Sequence, residues 1–510
     1  MSVPSTAESS TFMPRYELLQ WMAGMTGLLF IFAFGAICGS FINVVVYRIP
    51  RGMNVIRPPS ACPACGTRLR WTENFPILGW LWLRGKCRFC KSPISPEYVL
   101  VELFVACVFA LCYALWFMEP SPVKLAGLDP EAWRPEWTEA GLSRMWPMLL
   151  IVYALIGSLV AMTLIDAKTF TIPLVIPWFA TLVAVVIHPL HAVVFGADAV
   201  RHLPDLDTWT IPIPSHRWVC AAYLGVVGMA LSIAMLRFGI FPRSFSDYEE
   251  WEKGAQASGA DGKEPGSSAD NGGTSRELRM VLMRVLMLTG PGVALMALGA
   301  TLGADAGRPL EGMLLGLLVG LVIGIVLRRM VAGPTEHLEP IWVQYPHARR
   351  EMLKECVFLL PIVGLAWVGW WLGAPGGDMD AIFGQAPLWS RVLGASLLGY
   401  LVGGGMIWGI RIVGSLAFGR EAMGLGDVHL LAAVGAALGW IDPILVFFLA
   451  PPIAILWFVL GAVASRLLKG HGSVLQFGPH LSAATLLVLL FKEPLAGVLQ
   501  PLTGNPSVLP

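Results

Sequence analysis

Stretches of about 20 apolar residues with almost no charge recur along the whole 510-residue chain. As a helix, such a stretch spans a hydrocarbon core of about 30 Å. Lipid satisfies no backbone group, so only helices and closed barrels cross it. Candidate spans fall at 18–47, 98–117, 147–165, 174–195, 217–237, 280–301, 310–328, 355–373, 389–411, 429–447, 449–467 and 481–499. Charged residues make up 14% of the chain, against about 25% in soluble domains. That deficit excludes a soluble enzyme, a disordered chain and a disulfide-stapled secreted domain. The net charge of +1 provides no global field for nucleic acid, and no nucleic-acid partner is expected. The expected fold is an all-α polytopic membrane protein of about 12 transmembrane helices, with the lipid bilayer as its surroundings. The first run is too long for a cleaved signal peptide and follows Arg15 and Glu17 instead of a basic cluster. It is expected to stay as an anchor.

Lysine and arginine in short loops set the orientation. Segment 47–97 holds nine (Arg48, Arg51, Arg57, Arg68, Arg70, Arg84, Lys86, Arg88 and Lys91) against two acids, so it is expected in the cytoplasm. Segment 118–146 has five acids and three positive residues, and reads as exterior along with 196–216. Alternation then puts Arg328, Arg329, Arg349, Arg350, Arg411, Arg420, Arg466 and Lys469 inside and both termini outside. Residues 254–273, GAQASGADGKEPGSSADNGG, lack apolar periodicity and read as the centre of a flexible linker over 248–275.

Within the basic loop, Cys62-Pro-Ala-Cys65 and Cys87-Arg-Phe-Cys90 form two C-x2-C knuckles separated by 21 residues. Two such knuckles complete a tetrahedral thiolate shell suited to Zn²⁺, a structural site with no position open for water. A reducing cytoplasm argues against disulfides there. Gly66 suits the tight turn, and WTENFPILGWLWLRGK must pack as a lobe of its own. The alternative is that all four are ordinary thiols. Cys38, Cys107, Cys112, Cys220 and Cys356 lie in or beside apolar runs and read as small hydrophobes.

Ionisable residues at membrane depth are functional candidates by default. Asp166 ends the third span in LIDAKTFTIP, and Asp427 begins a later one in EAMGLGDVHLLAAVGA. Two carboxylates brought to one depth share a proton, because like charges a few ångströms apart do not both ionise easily. One then serves as base toward water and the other as acid toward a carbonyl. Gly424 and Gly426 would let a substrate backbone approach. Taken singly, Asp166 reads equally well as a helix-end partner of Lys168, and Asp427 as an N-cap.

These residues resemble the type IV prepilin peptidases, the GxGD aspartic membrane proteases that act as leader peptidase/N-methyltransferase. The resemblance is carried in order by GSFINVVVYRIP (39–50), the two knuckles, ENFPILGWLWLRGKC (73–87), SPISPEYVLVEL (92–103), LIDAKTFTIP (164–173), GLGDVHLLAAVGAALGW (424–440) and FGPHLSA (477–483). It covers roughly 18–195 and 389–490. It implies a multi-pass protein of the bacterial inner membrane that cleaves basic leaders of prepilins and pseudopilins after glycine, at the cytoplasmic face. Asp166 and Asp427 would be the catalytic pair. Bifunctional members then N-methylate the new terminus with S-adenosylmethionine, an activity associated with the zinc loop. Glu73, Asn74, Gly85 and Lys86 are the weak candidates for it here, and the methyl donor rests on resemblance alone. Pilus or type II secretion machinery is the implied assembly partner.

The implied organisation is an anchor at 18–47, a four-cysteine zinc lobe at 48–97, a first part of the peptidase core at 98–195, an inserted membrane region at 196–388 and a second core part at 389–510. Three departures stand out: Leu174 where the family commonly has an acidic or amide residue, His429 where it commonly has lysine, and the insertion. The insertion includes the polar segment TEHLEPIWVQYPHARREMLKE. Asn43 reads as an interhelical hydrogen-bond partner, and Glu102 as a carboxylate at a helix end. His471 and His480 read as solvated loop residues, and the 20 tryptophans as interfacial belts. Two other classes compete: a proton- or ion-coupled transporter using Asp166 and Asp427, and a scaffold that docks a partner through the lobe. Inverted-repeat transporters show two comparable halves, which this chain lacks.

Overall fold

The computed structural model describes residues 15–118, 134–199, 210–242, 244, 319, 348–373, 386–418, 421–468 and 477–503. The regular structure among them is helical, apart from isolated bridges that include Ala61–Arg68 and Lys86–Pro93. The helices are α1 (Arg15–Arg48), α2 (Leu78–Trp82), α3 (Glu97–Trp116), α4 (Leu142–Thr169), α5 (Val175–Ala199), α6 (His216–Arg237), α7 (Ala348–Leu372), α8 (Leu388–Phe418), α9 (Leu425–Leu438), α10 (Asp442–Leu468) and α11 (Phe477–Thr503). Among the described residues, eight are long and apolar enough to cross a membrane, and Leu425–Leu438 and Phe477–Lys492 are shorter apolar helices. The all-α, multi-pass fold class is as expected. The spans expected at 280–301 and 310–328, and the linker 248–275, lie outside the described residues.

Two boundaries differ from the sequence reading. The spans read as 429–447 and 449–467 meet instead at 439–441, between α9 and α10. Gly439 takes φ +94°, a conformation that ends a helix cheaply only in glycine. Pro451 and Pro452, which look like breakers, lie inside α10. The run read as 389–411 continues to Phe418, so Arg411 lies within α8 and not in a cytoplasmic loop.

The chain divides into two compact units. The first comprises Met1–Val219, Pro375–Gly404 and Gly426–Glu493, and the second Cys220–Ala374, Gly405–Leu425 and Pro494–Pro510. In the first unit α4 is buried along most of its length, from Met145 to Asp166. Tyr153 of α4 stacks on Phe109 of α3 at 4.0 Å between ring centroids. Its hydroxyl donates to the Phe109 carbonyl at 3.0 Å. Close helix contact depends on small residues. A Cβ on Gly35 or Gly39 of α1 would lie 2.8 Å from the Cα of Ala106 or 2.7 Å from that of Glu102 on α3. Asn43 Nδ2 donates to the Tyr98 carbonyl at 3.0 Å, an interhelical bond of the kind read from sequence.

Glycines bring α8 and α9 together in the same way. A Cβ on Gly399 would stand 2.0 Å from the Gly435 carbonyl oxygen, and one on Gly403 would stand 2.3 Å from that of Leu431. The last carbonyls of a helix lack intrahelical partners. In α9, Ser396 Oγ donates to Ala436 O at 2.7 Å, and His188 Nε2 lies 3.1 Å from Ala437 O. These contacts fix the far end of the helix whose first turn carries Asp427. In the second unit, α6 and α7 touch backbone to backbone, with Gly228 against Pro361 O and Gly369 against Cys220 O.

Candidate active site and metal centre

Asp166 occupies the last turn of α4, and Asp427 is the third residue of α9. Asp427 is therefore inside its helix and not the N-cap. Both side chains are buried, at 8% and 9% exposure. The chain leaves α4 through Phe170, whose φ of +56° turns it sharply and whose N–H donates to Asp166 O at 2.9 Å. Thr169 Oγ1 steadies the turn, 2.9 Å from both Ile165 O and Thr171 Oγ1. Lys168 forms its ion pair with Glu97 of α3.

This turn carries Ile172 over Gly426, where a Cβ would lie 2.7 Å from Ile172 Cβ. A side chain there would lift the loop off α9, which is why the residue before Asp427 is glycine. The third segment is FGPH. A Cβ on Gly478, the second residue of α11, would meet Asp166 Oδ2 at 2.7 Å and Asp427 Oδ1 at 3.4 Å. Those two oxygens therefore lie within about 6 Å of each other, the sum of the two distances. Two carboxylates from separate helices thus face one glycine, next to the first turn of α11, where unpaired N–H groups favour negative charge.

The other residues singled out in the sequence lie on α5, α9 and α11 or beside them. Gly424 immediately precedes α9 and is exposed. Leu174 is 43% exposed at the start of α5. The His429 ring lies 6.3 Å from that of Trp178, which in turn is 6.0 Å from Tyr400. His480 corrects the sequence reading: it is 7% exposed inside α11 and not in a solvated loop, because the helix already begins at Phe477. Proline at the third position does not prevent this, since the first turn of a helix tolerates it. His471 lies outside the described residues. Gly478 was missed as a candidate site residue, although FGPH was the available signal.

The four knuckle cysteines converge, with all Sγ atoms within 4.8 Å of one another. The knuckles repeat one hydrogen-bond pattern. Cys62 N–H donates to Thr67 O and Gly66 N–H to Cys62 O; Cys87 N–H donates to Ser92 O and Lys91 N–H to Cys87 O, all at 2.8–3.0 Å. Each turn needs a left-handed residue, supplied by Gly66 at φ +71° and by Lys91 at φ +60°. Backbone N–H groups of Cys65 and Ala64 point at the Cys62 sulfur and lower its pKa to about 6. The side-chain hydrogen bond between Cys90 and Ser92 lowers that of Cys90. Four thiols at this spacing, with two inclined to ionise, fit a divalent metal such as zinc.

The weak methylation candidates are engaged within the lobe. Glu73 is ion-paired with Arg88 at 2.9 Å and accepts the Arg70 N–H at 3.0 Å. Asn74 N–H donates to Arg70 O at 3.1 Å. Gly85, at φ +67°, lies under the Trp80 ring, where a Cβ would come within 2.8 Å. Lys86 is exposed, on the bridge to Pro93. Glu102 is buried in α3 and accepts the Ile77 N–H at 2.6 Å, joining lobe to membrane helix.

Residues 33–116 match the model of the bacterial peptidase A24 N-terminal domain. The prepilin leader peptidase/N-methyltransferase of Myxococcus xanthus is 43% identical over 114 residues, covering 20% of this chain and 34% of that protein. The protein of the same name from Klebsiella pneumoniae is 42% identical over 105 residues, covering 19% and 45%. That from Dickeya chrysanthemi is 31% identical over 169 residues, covering 29% and 50%. The chain thus spans between a third and a half of these relatives' lengths. No solved structure matches. Residues 33–116 are thus similar to the bacterial peptidase A24 N-terminal domain, and a part of the chain is similar to prepilin leader peptidase/N-methyltransferases.

Proposed function

We propose that the protein is an integral-membrane aspartic endopeptidase that removes the basic leader of prepilins or pseudopilins, cutting after glycine at the cytoplasmic face of the inner membrane. The observation that carries this is the convergence of Asp166 and Asp427 on Gly478. With one proton shared between the carboxyls, the ionised one takes a proton from a water held between them. The resulting hydroxide attacks the scissile carbonyl, whose oxygen receives the other carboxyl's proton. Collapse of the tetrahedral intermediate breaks the C–N bond as the leaving amine is protonated.

The second activity, N-methylation of the new terminus from S-adenosylmethionine, is proposed from the names of the relatives. Glu73 and Gly85 are taken up by contacts of the lobe itself, so no step of methyl transfer is assigned to them. Zinc held by Cys62, Cys65, Cys87 and Cys90 would fix the lobe's shape and take no part in peptide hydrolysis. Pilus or type II secretion machinery is the proposed assembly partner.

The test is co-expression with a candidate prepilin in membranes, followed by intact mass of the product. Wild type loses the leader; Asp166→Asn and Asp427→Asn each retain it. An added methyl mass in wild type assigns the second activity. An intact precursor across several glycine-ending leaders would turn the reading toward the transporter.

A further inference from the structure

A cluster of buried charge outside the aspartate pair belongs to the second unit and involves the insertion. Arg411 of α8 and Glu355 of α7 are 2% and 5% exposed. Glu355 closes the polar segment that the sequence left without a role; residues 348–355 of that segment form the first turns of α7. The guanidinium uses both of its edges. Arg411 Nε donates to Glu355 Oε2 at 3.2 Å and Nη2 to Oε1 at 3.1 Å, a bidentate pair. Trp408 Nε1 also donates to Oε2, at 2.7 Å. On the opposite side Nη1 donates to the Glu421 carboxylate and to the Met423 carbonyl. The Ala422 N–H donates to Ser415 Oγ at 3.0 Å, a second tie on the same short segment.

Gly424-Leu425-Gly426-Asp427 follows this segment directly. Irregular backbone at membrane depth persists only where protein satisfies its polar groups, and Arg411 does so for Met423. A lysine offers one point charge and could not hold a carboxylate on one edge and a carbonyl on the other.

We propose that Glu355 and Arg411 are positioning residues for Asp427: inserted helix α7 aims the guanidinium, and the guanidinium clamps the segment from which α9 starts. This gives the insertion a part in the reaction, and it rests on the reading of Asp427 as a peptidase carboxylate. Neither residue touches the reacting atoms. Their effect is on where the chain enters α9.

The experiment uses the full-length protein in lipid nanodiscs, with kcat and KM for a prepilin and hydrogen exchange of amides 421–426 as readouts. Glu355→Gln is expected to lower kcat by about 10- to 100-fold, with KM within about twofold of wild type. Exchange across 421–426 should rise roughly tenfold while α4 keeps its protection. Glu355→Asp should recover part of the rate. Should Glu355→Gln not fold, Glu421→Gln, on the exposed side of the clamp, is expected to move both readouts the same way by a smaller factor. Unchanged exchange in the variants overturns the clamp, as does faster exchange with unchanged kcat. Loss of protection throughout α4 also overturns it, as a general structural effect. A wild type that cuts no prepilin defeats the peptidase reading separately, and exchange at 421–426 then decides the clamp alone.

Discussion

At the scale of single residues the candidate site is shaped as much by a missing carbon as by its carboxylates. Gly478→Ala places a methyl 2.7 Å from Asp166 Oδ2 and 3.4 Å from Asp427 Oδ1, so the carboxyls must part. Cleavage is expected to fall about 100-fold, because misplacement of that size is costly in a preorganised site. The thermal midpoint in detergent should move by only a few degrees. Rate and melting curve measured on one preparation check this. In the metal lobe, Cys62 with a pKa of about 6 has already lost its proton at pH 7. Zinc binding there should release fewer than four protons, and the number should rise as the pH falls through about 6. Calorimetric titration in buffers of different ionisation heat measures it. Asp166 and Asp427 were legible in sequence because charge at membrane depth is expensive. Gly478 carries no chemistry of its own, and only its neighbours reveal it. Arg411 looked like a loop residue because its neutralising partner, Glu355, lies 56 positions away.

At the scale of elements, α9 is a short helix held by glycines along α8 and by donors at its far end. Gly399→Val pushes against the Gly435 carbonyl, 2.0 Å from where even the first added carbon would lie. The expected cost is about 1–3 kcal/mol from overpacking. A lower melting temperature should accompany loss of cleavage, since α9 carries Asp427. Equal stability with full activity would show that α8 and α9 can separate without consequence. The helical class and most spans were legible from length and apolarity. The α9–α10 boundary was not, because Gly439 reads like the other glycines of an apolar run and the Pro451-Pro452 pair looks like the stronger break. Neighbouring helices and local backbone adjustment let prolines sit within a membrane helix, whereas a positive φ ends one.

At the scale of the whole molecule, the basic loop and the aspartate pair are expected on the cytoplasmic side. With the cysteines outside the metal loop replaced, a membrane-impermeant maleimide should reach Arg70→Cys only in inverted vesicles and Glu139→Cys only in right-side-out ones. Both positions are exposed. The start of α3 ties this side together. Glu97 pairs with Lys168, two residues beyond Asp166, and Glu102 receives the N–H of Ile77 from the metal lobe. Removing zinc with a chelator should therefore slow leader cleavage by about fivefold although no metal ligand reaches the aspartates, and re-adding zinc should restore the rate. Lobe and aspartate pair thus share one footing on α3, so under the proposed function metal supply to the cell would set how fast leaders are removed.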